Sequence, residues 1–255
     1  MADPAPAPTA AVLVIGNEIL SGRTQDINLR FLAQRLGERG IRLAEARVIP
    51  DIPDVIVATV NELRARYDML FTTGGIGPTH DDITSECIAA AFGVPWEPHP
   101  EAWARMERSY KPGEFNPARQ RMATMPRGAS LIENPISTAP GFTIGNVHVM
   151  AGVPRVMQAM FDTLAPRLPG GTPIAARAVH ALGASEGRLA EPLAAIAARY
   201  EELDIGSYPF YRPGGNGVAI VAKGLDPALL EAAIAEVTAL FATLGYAPVA
   251  GEPAA

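Results

Sequence analysis

Residues 70 to 84 read LFTTGGIGPTHDDIT and join a short apolar run to three glycines, two adjacent aspartates and a helix start at Thr84. An apolar strand that leads into a glycine-rich turn and then a helix is the usual way in which an α/β protein brings backbone N–H groups to a phosphate. The carboxylates of Asp81 and Asp82 beside this turn indicate a divalent metal ion at the same place. The stretch therefore predicts a combined phosphate and metal site.

The glycine spacing by itself is weak evidence for a ligand. GGIG, residues 74 to 77, has neither the spacing of the dinucleotide-binding fingerprint nor the Lys-Ser or Lys-Thr of a P-loop. Alone it would indicate only a tight turn. The strand before it, the helix after it and the carboxylates between them are what favour a binding site.

The composition indicates a folded protein with a substantial core, because 48% of the 255 residues are hydrophobic and only 19% are charged. The net charge of −6 and the lack of any stripe of Lys and Arg predict that nucleic acid is not a partner. The single cysteine, Cys87, cannot form an internal disulfide. We expect it to be a buried, inert thiol rather than a nucleophile.

The sequence shows no targeting or membrane signal. No apolar run approaches the length of a membrane span, and the N-terminus lacks the basic and apolar regions of a signal peptide. These features predict a cytoplasmic protein without a membrane partner. The two ends, residues 1 to 9 and 247 to 255, are rich in alanine and proline and are predicted to be flexible tails.

Strands alternate with helices in the first part of the chain, which predicts an α/β fold around a doubly wound parallel sheet. The sequence predicts strands at 10–15, 41–49, 70–73, 142–144 and 147–150, and helices at 26–39, 53–67, 84–92, 101–110 and 154–168. The Pro- and Gly-rich segment 168–173 marks a boundary, and the βαββα order beyond it predicts a smaller α+β domain. The predicted domains are residues 10 to 168 and 174 to 246.

Acidic residues follow three successive predicted strands. Glu18 follows the first strand and Asp51 the second, while Asp81 and Asp82 follow the third. The carboxyl ends of parallel strands lie along one edge of a sheet, so these carboxylates are expected to converge on one crevice. Each also has a structural explanation. Asp51, Asp81 or Asp82 can cap the helix that follows it, and Glu18 can be a solvated surface residue.

The segment NPISTAPGF, residues 134 to 142, is predicted to be a surface loop that carries binding groups. Ser137 and Thr138 supply hydroxyl donors, and Gly141 allows a backbone to approach a ligand closely. Asn134 either contacts the ligand or holds the loop in shape through an Asx turn.

Other residues give weaker signals. The backbone amides after Gly152, at the start of a helix, can form an anion site. His80 is expected either in solvent or in contact with a phosphate or metal. Arg119 and Arg121 either clamp a phosphate or are ordinary surface arginines. In the second domain, the aromatic residues of 208–217 either stack on a base, contact a second subunit or belong to a plain hairpin.

The sequence TTGGIGPTHDDIT, residues 72 to 84, resembles the signature of the molybdopterin-binding MoaB/Mog family. With GNEILSGRTQDIN upstream and NPISTAPGF and GVPRVMQAMF downstream, it is similar to the N-terminal part of the competence/damage-inducible protein CinA and to the N-terminal domain of eukaryotic FAD synthase. The match runs in consistent order from about Val12 to Leu168. The region to about Leu244 is similar in layout to the second domain of CinA.

The resemblance implies a three-layer α/β/α fold, an oligomer and two different activities. MoaB/Mog-type members bind molybdopterin, and their essential acidic positions correspond to Asp51 and Asp82. CinA-type members are associated with metal-dependent hydrolysis of the pyrophosphate in ADP-ribose, and the FAD synthase domain with a similar hydrolysis of FAD. The nicotinamide-mononucleotide deamidase domain of CinA would follow the second domain, so we expect that activity to be absent. Ile76 stands where GGTG is usual, which favours the CinA branch.

The residues and the resemblance together predict a metal-dependent hydrolase of a nucleotide pyrophosphate. The alternative is a protein that binds molybdopterin or a nucleotide without turnover. Asp51 and Asp82 are the predicted catalytic residues, and Glu18, Asp51, Asp81 and Asp82 are expected near a divalent metal ion. The predicted contacts to substrate and phosphate are Gly16, Asn17, Thr73, Gly74, Gly75, Gly77, Thr79, His80, Asn134, Ser137, Thr138, Gly141 and Gly152. The expected partners are a small nucleotide or pterin and further copies of the chain.

Overall fold

The computed structural model describes residues 7 to 253. The chain divides into two compact units, Met1–Gly171 and Thr172–Ala255. In the described part of the chain, no helix is long and apolar enough to cross a membrane. The predicted fold class, an α/β domain and a smaller α+β domain, is confirmed.

The first unit is built on a six-stranded sheet and a separate two-stranded sheet. Its strands are β1 (Thr9–Ile15), β2 (Arg42–Ile49), β3 (Met69–Thr73), β4 (Trp96–Pro98), β5 (Thr124–Pro126), β6 (Ser130–Ile132), β7 (Gly141–Ile144) and β8 (Val147–Met150). Its helices are α1 (Asn17–Leu20), α2 (Asn28–Glu38), α3 (Pro53–Arg66), α4 (Thr84–Phe92), α5 (Pro100–Ser109), α6 (Pro117–Arg121) and α7 (Pro154–Leu164), which a 3₁₀ turn, Ala165–Arg167, follows.

The six-stranded sheet has the strand order β2-β1-β3-β8-β7-β6. Strands β2, β1, β3 and β8 are parallel, whereas β7 is antiparallel to both β8 and β6. Val14 pairs with Thr73, and Thr73 pairs with Met150, so the carboxyl ends of these strands lie side by side. The loops after β1, β2, β3 and β8 therefore leave the same edge, which is where open α/β sheets bind ligands.

Strand β1 shows why the parallel strands are apolar throughout. Successive side chains of a strand point to opposite faces of the sheet. Val12 and Val14 belong to the core on one face. Leu13 and Ile15 belong to the core on the other face. Because helices cover both faces, β1 has no side that faces solvent.

The covering helices bury narrow stripes. Helix α2 buries Asn28, Leu32 and Leu36 at four-residue spacing. Helix α7 packs on the same face of the sheet, while α3 and α4 pack on the opposite face. A spacing of three or four residues places side chains on one side of a helix, so each helix turns one apolar stripe to the sheet. The result is the three-layer α/β/α arrangement that the family resemblance implied.

The second unit is a four-stranded sheet with two helices. Its elements are β9 (Ala175–Leu182), α8 (Glu186–Ala197), β10 (Asp204–Arg212), β11 (Gly215–Gly224), α9 (Pro227–Thr243) and β12 (Pro248–Ala250). The strand order is β10-β11-β9-β12, and each strand is antiparallel to the next one in this order. Helices α8 and α9 pack on the sheet through apolar residues that include Leu193, Ile220 and Phe241.

Both predicted tails require correction. Residues 247 to 255 were expected to be flexible, but Pro248–Ala250 forms β12 and pairs with β9. At the other end, Thr9 begins β1, and its backbone N–H donates to Asp68. Residues 1 to 6 of that predicted tail lie outside the described residues. In both places, pairing with residues distant in sequence orders a segment whose composition predicts no ordered structure.

Three short elements also differ from the expectation. Helix α1 lies in a segment that was predicted to be only a loop. Strands β4 and β5 pair with each other and were not predicted, because runs of three residues give no periodic signal. Thr84 is the first residue of α4 rather than its N-cap, and no side chain caps this helix.

Candidate functional site

A cleft of about 460 Å³ lies at the carboxyl edge of the main sheet. It is bounded by the glycine loop after β3, the loop after β1, the loop before β7 and the start of α7. The predicted site residues that line it are Glu18, Gly74, Gly75, Gly77, Asp82, Asn134, Ser137 and Gly152. A cleft of this volume suits a ligand of nucleotide size.

The glycine loop has a backbone path that only glycine can follow. Gly74 and Gly75 have φ angles of +104° and +68°, in the region that side chains disfavour. A Cβ at position 74 would overlap the carbonyl oxygen of Ile15, and one at position 75 would overlap the hydroxyl of Thr84. The N–H of Thr84 donates to the Gly75 carbonyl at 2.9 Å. The loop therefore lies directly against β1 and α4.

Asp82 is held against this loop. Its Oδ2 accepts a hydrogen bond from the N–H of Thr79 at 2.8 Å and lies within hydrogen-bond reach of the Thr79 hydroxyl, whose single proton Asp81 and Asp82 share. A Cβ at Gly77 would lie 2.6 Å from the same oxygen, so glycine is needed for the carboxylate to approach the backbone. The half-buried Asp82 lines the cleft. Its carboxylate is consequently positioned beside the backbone that is expected to meet a phosphate.

Asp81 and His80 point elsewhere. Asp81 is exposed, and its Oδ1 accepts a hydrogen bond from the Thr79 hydroxyl at 2.6 Å, which lowers the pKa of Asp81. The His80 side chain is 97% exposed and lies 3.9 Å from Asp81. Neither lines the cleft. Of the two alternatives for His80, the structure shows the solvent-facing one.

The two carboxylates in the loops after β1 and β2 have different positions relative to the cleft. Glu18 lines the cleft. Asp51 does not, and its Oδ2 instead accepts the N–H of Asn17 at 2.8 Å at the start of α1. Asp51 also does not cap α3, whose N-cap is Ile52. The backbone N–H of Gly16 donates to the Ile49 carbonyl at 3.1 Å. Gly16, Asn17 and Asp51 thus join the β1 and β2 loops to each other.

The expected convergence of four carboxylates is not found. Within residues 7 to 253, no group of three or more His, Cys, Asp or Glu side chains is placed to hold a metal ion. Glu18 and Asp82 line the cleft, whereas Asp51 and Asp81 are used by neighbouring backbone and hydroxyl groups. A hydrogen bond to a neighbouring donor does not by itself remove a carboxylate from the cleft, because Asp82 also accepts hydrogen bonds from Thr79 and lines the cleft. Two carboxylates remain for a ligand.

The loop from 134 to 139 is shaped by its asparagine. Asn134 Oδ1 accepts the N–H groups of Ile136 and Ser137, both at 3.0 Å. Its Nδ2 donates to Ser137 Oγ at 2.6 Å and to the Ala139 carbonyl at 2.7 Å. Asn134 therefore forms the Asx turn that was one of its two predicted roles. Ser137 lines the cleft and keeps a hydroxyl proton to donate.

Thr138 and Gly141 do not line the cleft. Gly141 is the buried first residue of β7, and a Cβ there would lie 2.5 Å from the Val149 carbonyl. This glycine allows β7 to approach β8, so the close backbone approach predicted at this position is to a strand rather than to a ligand.

The start of α7 forms another wall of the cleft. Gly152, Val153, Pro154 and Val156 line it. Val153 is the N-cap residue, and no side chain caps the helix. A helix N-terminus carries free N–H groups and a partial positive charge. This geometry suits an anion, as the sequence indicated.

One arginine lies beside the cleft. A small hollow shares Ile76, Gly77, Asp82 and Met122 with the cleft wall and is also lined by Arg121. Arg121 Nη2 donates to the Asp82 carbonyl at 3.3 Å. Its guanidinium lies 5.0 Å from the centre of the Trp96 ring, and its buried Nε has no partner among the described residues.

Arg119, which lies on the same short helix, is engaged away from the cleft. Its guanidinium donates to the Glu114 carbonyl at 2.6 Å and lies 4.3 Å from the centre of the Tyr110 ring. The two arginines that the sequence left undecided are thus separated by the structure, and only Arg121 contacts Asp82.

Buried polar atoms without partners concentrate near the cleft. Six such side-chain atoms occur in the described chain, and five belong to Asn28, Thr72, Thr73, Thr84 and Arg121. Thr72 and Thr73 end β3, and Thr84 lies against Gly75. Leaving a buried polar group unpaired costs about 1–3 kcal/mol. Such groups are rare in folded proteins, so bound water or a ligand at this edge of the sheet would supply the missing partners.

Cys87 takes no part in the site. It lies buried on α4 in the core between this helix and the sheet. Burial raises the pKa of its thiol to about 11, so it is protonated at neutral pH. The prediction of an inert thiol fits this environment.

Comparison with known proteins assigns the family. Residues 11 to 170 match the family described as Probable molybdopterin binding domain. The chain belongs to this molybdopterin-binding domain family. Residues 176 to 247 match a second family, described as FAD synthase, middle domain. The resemblance seen in the sequence motifs is confirmed.

Relatives of this molybdopterin-binding domain protein include proteins named CinA-like. One from Citrifermentans bemidjiense is 41% identical over 167 residues, which cover 63% of this chain and 40% of the relative. One from Gloeobacter violaceus is 34% identical over 254 residues, which cover 93% of this chain and 58% of the relative. The chain thus spans about half the length of these relatives.

A solved structure supports the same assignment. The crystal structure of the protein CinA with unknown function from Thermoplasma acidophilum is 32% identical, with a TM-score of 0.60. The match covers 64% of this chain and 99% of that protein.

Several residues that line the cleft were not predicted. They are mostly apolar and comprise Thr24, Ile76, Met122, Ala139, Ala151, Val153, Pro154, Val156 and Met160. Met160 could have been noticed, because it lies on the apolar stripe of α7. That stripe was interpreted only as a core-facing surface, so its place in the cleft wall was missed. An apolar wall opposite polar groups is the usual composition of a pocket that holds a ring system.

Asn28 was also missed. It is only 4% exposed, and its Nδ2 donates to the Gly152 carbonyl at 2.8 Å. The signal was available, because counting back four residues from Leu32 and eight from Leu36 places Asn28 on the buried stripe of α2. A polar residue on such a stripe must have a buried partner, and that partner is Gly152.

Proposed function

We propose that the protein hydrolyses the pyrophosphate bond of a nucleotide such as ADP-ribose or FAD with the help of a divalent metal ion. The observation that carries this proposal is the position of Asp82. Its carboxylate is held by Thr79, lies against the glycine loop and lines a cleft of nucleotide size. A carboxylate beside backbone that can meet a phosphate is the arrangement that metal-assisted phosphate chemistry needs.

The walls of the cleft supply neutral donors for phosphate oxygens. The start of α7 has no side-chain cap, and since Pro154 carries no N–H, the helix N–H groups available to an anion are those of Arg155 and Val156. The Ser137 hydroxyl is a further donor at the opposite loop. These donors are uncharged and bind an anion through hydrogen bonds, which is typical of phosphate sites at helix N-termini.

A divalent ion fits the residues at the cleft. Mg²⁺ usually binds one or two protein carboxylates, several waters and the substrate phosphates, and does not require a full protein cage. Glu18 and Asp82 provide two carboxylates. When bound there, such an ion would neutralise phosphate charge and activate water. The proposed metal-holding set is therefore Glu18 and Asp82, with Asp51 and Asp81 outside it.

Arg121 supplies a positive charge beside the cleft. No Lys or Arg is among the residues that line the cleft itself, and two carboxylates are. Before a metal ion binds, a pyrophosphate would therefore meet a net negative wall. Arg121 contacts the Asp82 carbonyl and stacks on Trp96, which limits the freedom of its side chain. We assign it the role of attracting and orienting a phosphate, a task for which guanidinium geometry is well suited.

The apolar wall of the cleft would hold the ring of the substrate. Ile76, Met122, Val156 and Met160 line it. Methionine side chains adapt to flat aromatic surfaces and make favourable sulfur contacts with them. This wall does not choose between a flavin, a purine and a pterin, because it offers few hydrogen-bonding groups.

A second candidate function is binding of molybdopterin without turnover. It is favoured by the family description and by the finding that the described residues present two carboxylates, not a group of three or more. A pterin would use the same apolar wall, and its phosphate would use the same helix start. The two candidates differ in whether Asp82 takes part in bond cleavage.

The test is turnover with defined substrates. Purified protein is incubated with ADP-ribose or with FAD in the presence of Mg²⁺ or Mn²⁺, and AMP is measured by chromatography. The proposal predicts AMP from at least one pair of substrate and metal, and none after addition of a chelator. A protein that releases no AMP under any of these conditions but binds a pterin tightly would establish the second candidate instead.

A further inference from the structure

Asn28 joins two distant loops at the cleft. It begins α2, and its buried side chain donates from Nδ2 to the carbonyl of Gly152, 124 residues away in sequence. Gly152 in turn is packed so tightly on the glycine loop that a Cβ there would lie 3.2 Å from the Gly74 Cα. Through this contact the segments that follow β1, β3 and β8 are held together.

The bond fixes the orientation of one peptide group. The peptide between Gly152 and Val153 is trans and planar, so its C=O and N–H point in opposite directions. Because the C=O points to buried Asn28, the N–H of Val153 points away from it. That N–H has no acceptor among the described residues, and Val153 lines the cleft with a side chain that is mostly exposed.

Asn28 is the one side chain in the described part of the protein that hydrogen-bonds to this peptide. No other side chain hydrogen-bonds to Gly152 or Val153, and α7 has no side-chain cap. Glycine at position 152 lowers the cost of rotating the peptide, because it tolerates many backbone conformations. A complete flip is disfavoured, because it would bring φ of Val153, now −64°, to a positive value in a β-branched residue that precedes proline. Loss of the Asn28 amide is therefore expected to let the peptide tilt, so that its N–H no longer points at a phosphate oxygen.

We propose that Asn28 is a positioning residue that holds the Gly152 to Val153 peptide so that its N–H binds a phosphate oxygen of the substrate. The inference rests on the proposed function for the chemical class of the ligand. Asn28 does not line the cleft and touches no substrate itself. It acts through the carbonyl of Gly152.

Asn146 provides a matched control within the same sheet. Its Nδ2 donates to the carbonyls of Arg64 and Tyr67 at 2.9 and 3.0 Å. Like Asn28, it bridges distant segments through its amide, but it lies just before β8, at the opposite end of the parallel strands. Loss of either amide removes hydrogen bonds to backbone carbonyls. Only loss of the Asn28 amide is expected to affect the cleft.

The experiment compares Asn28→Ala and Asn28→Asp with Asn146→Ala. Inorganic pyrophosphate with Mg²⁺ is titrated into ¹⁵N-labelled protein, and the backbone resonance of Val153 is followed together with the dissociation constant. Thermal unfolding of each variant is measured in parallel. In the unsubstituted protein and in Asn146→Ala, the Val153 resonance should shift on binding, with affinities within about threefold of each other.

Both Asn28 variants should bind pyrophosphate at least tenfold more weakly, with little shift at Val153. Asn28→Asp is informative because it keeps the size of the side chain but cannot donate. Asn28 would be merely structural if its variants unfold at lower temperature yet bind as the unsubstituted protein does. A Val153 resonance that does not respond to pyrophosphate in the unsubstituted protein, or no binding at all, would also overturn the inference.

The outcome is separable from that of the proposed function. If the unsubstituted protein binds pyrophosphate through Val153 but releases no AMP from ADP-ribose or FAD, the hydrolase proposal fails while the role of Asn28 stands. If it hydrolyses a nucleotide and Asn28→Ala keeps the same KM, the role of Asn28 fails while the hydrolase proposal stands. Under both proposals, Asn28→Ala raises KM at least tenfold and changes kcat less.

Discussion

The polar groups at the two ends of the parallel strands differ in how completely they are hydrogen-bonded. At the amino end, Asp68 Oδ2 accepts both the N–H and the hydroxyl of Thr9 at 2.7 Å, and these bonds lower the pKa of Asp68. Asn146 donates both of its amide protons to the carbonyls of Arg64 and Tyr67. These three side chains all have protein partners, although the Nε of Arg39, just before β2, is buried without one in the described chain.

At the carboxyl end the hydrogen bonding is incomplete. The hydroxyls of Thr73 and Thr84 and the Oδ1 of Asn28 are buried without a partner in the described chain. Gly74 and Gly75 adopt left-handed backbone conformations there. The difference teaches that the amino end contributes stability, whereas the carboxyl end gives up stability to leave donors, acceptors and space for a ligand.

Substitution of Asp82 should have the largest effect. Asp82→Asn keeps an oxygen for the Thr79 N–H but removes the charge at the cleft. We expect AMP release to fall about a thousandfold, in the range seen when a group that stabilises transition-state charge is lost. The control at the amino end is Asp68→Asn, which should leave turnover unchanged. Equal losses in the two variants would remove the functional distinction between the two ends.

The glycine loop should tolerate no side chain. Gly74→Ala combines a positive φ with overlap of the Ile15 carbonyl, and we expect it to cost about 3 kcal/mol in unfolding free energy. Gly113 also has a positive φ, +84°, but a Cβ there would meet nothing within 4 Å. Gly113→Ala should therefore cost only about 1 kcal/mol. Urea unfolding measures both, and similar costs would contradict the close packing of the loop on β1.

The middle of the sheet should respond to pH through His148. This residue lies buried in β8, stacks on Phe71 with ring centres 4.9 Å apart, and is within 3.0 Å of the Thr143 hydroxyl. Burial, with a smaller effect of Arg167, lowers the pKa of His148 from 6.5 to about 4. Between these values the unfolded chain binds a proton that the folded chain does not, so stability falls as the pH falls.

The linkage amounts to about 2 kcal/mol between pH 7 and pH 5. Unfolding in urea at several pH values measures it. His148→Gln should flatten this part of the pH dependence, whereas His80→Gln, at a position that is 97% exposed, should not. A His148→Gln protein that keeps the full slope would show that other groups cause it and that the sheet interior does not titrate.

The smallest effect is expected for the arginine beside the cleft. Arg121→Gln should lower kcat/KM about tenfold, because a charge-assisted contact to phosphate is lost. Arg119→Gln is the control on the same helix, since Arg119 contacts Glu114 and Tyr110 instead. We expect it to change kcat/KM less than twofold. The assignment of Arg121 would be untenable if both variants lost activity equally.

Much of the fold could be predicted because its signals are local. The glycine turn between β3 and α4, the apolar stripes of α2 and α7, and the Gly145-Asn146 hairpin each depend on residues near one another in sequence. Loop positions such as Ser137 and Gly152, which line the cleft, were predicted for the same reason. Turn-forming residues at the ends of strands and helices can be recognised in the sequence.

The site could be predicted only in part. The sequence placed Glu18, Asp51, Asp81 and Asp82 at the correct edge, but could not say which carboxylates would face the cleft. That choice depends on the direction of each side chain: Asp51 turns to the N–H of Asn17, while Asp81 and Asp82 both contact Thr79 and only Asp82 lines the cleft. Side-chain direction in irregular backbone has no period, so no pattern in the sequence records it.

The sequence by itself determined the class of fold, the family, and the edge of the sheet at which the cleft lies. These follow from periodicity, turn chemistry and ordered motifs. Only the tertiary structure decided that Arg121 contacts Asp82 from 39 residues away and that Asn28 fixes a peptide 124 residues along the chain. The physical reason is that hydrogen bonds between distant segments exist only after packing has brought those segments together, and each segment alone carries only half of the bond.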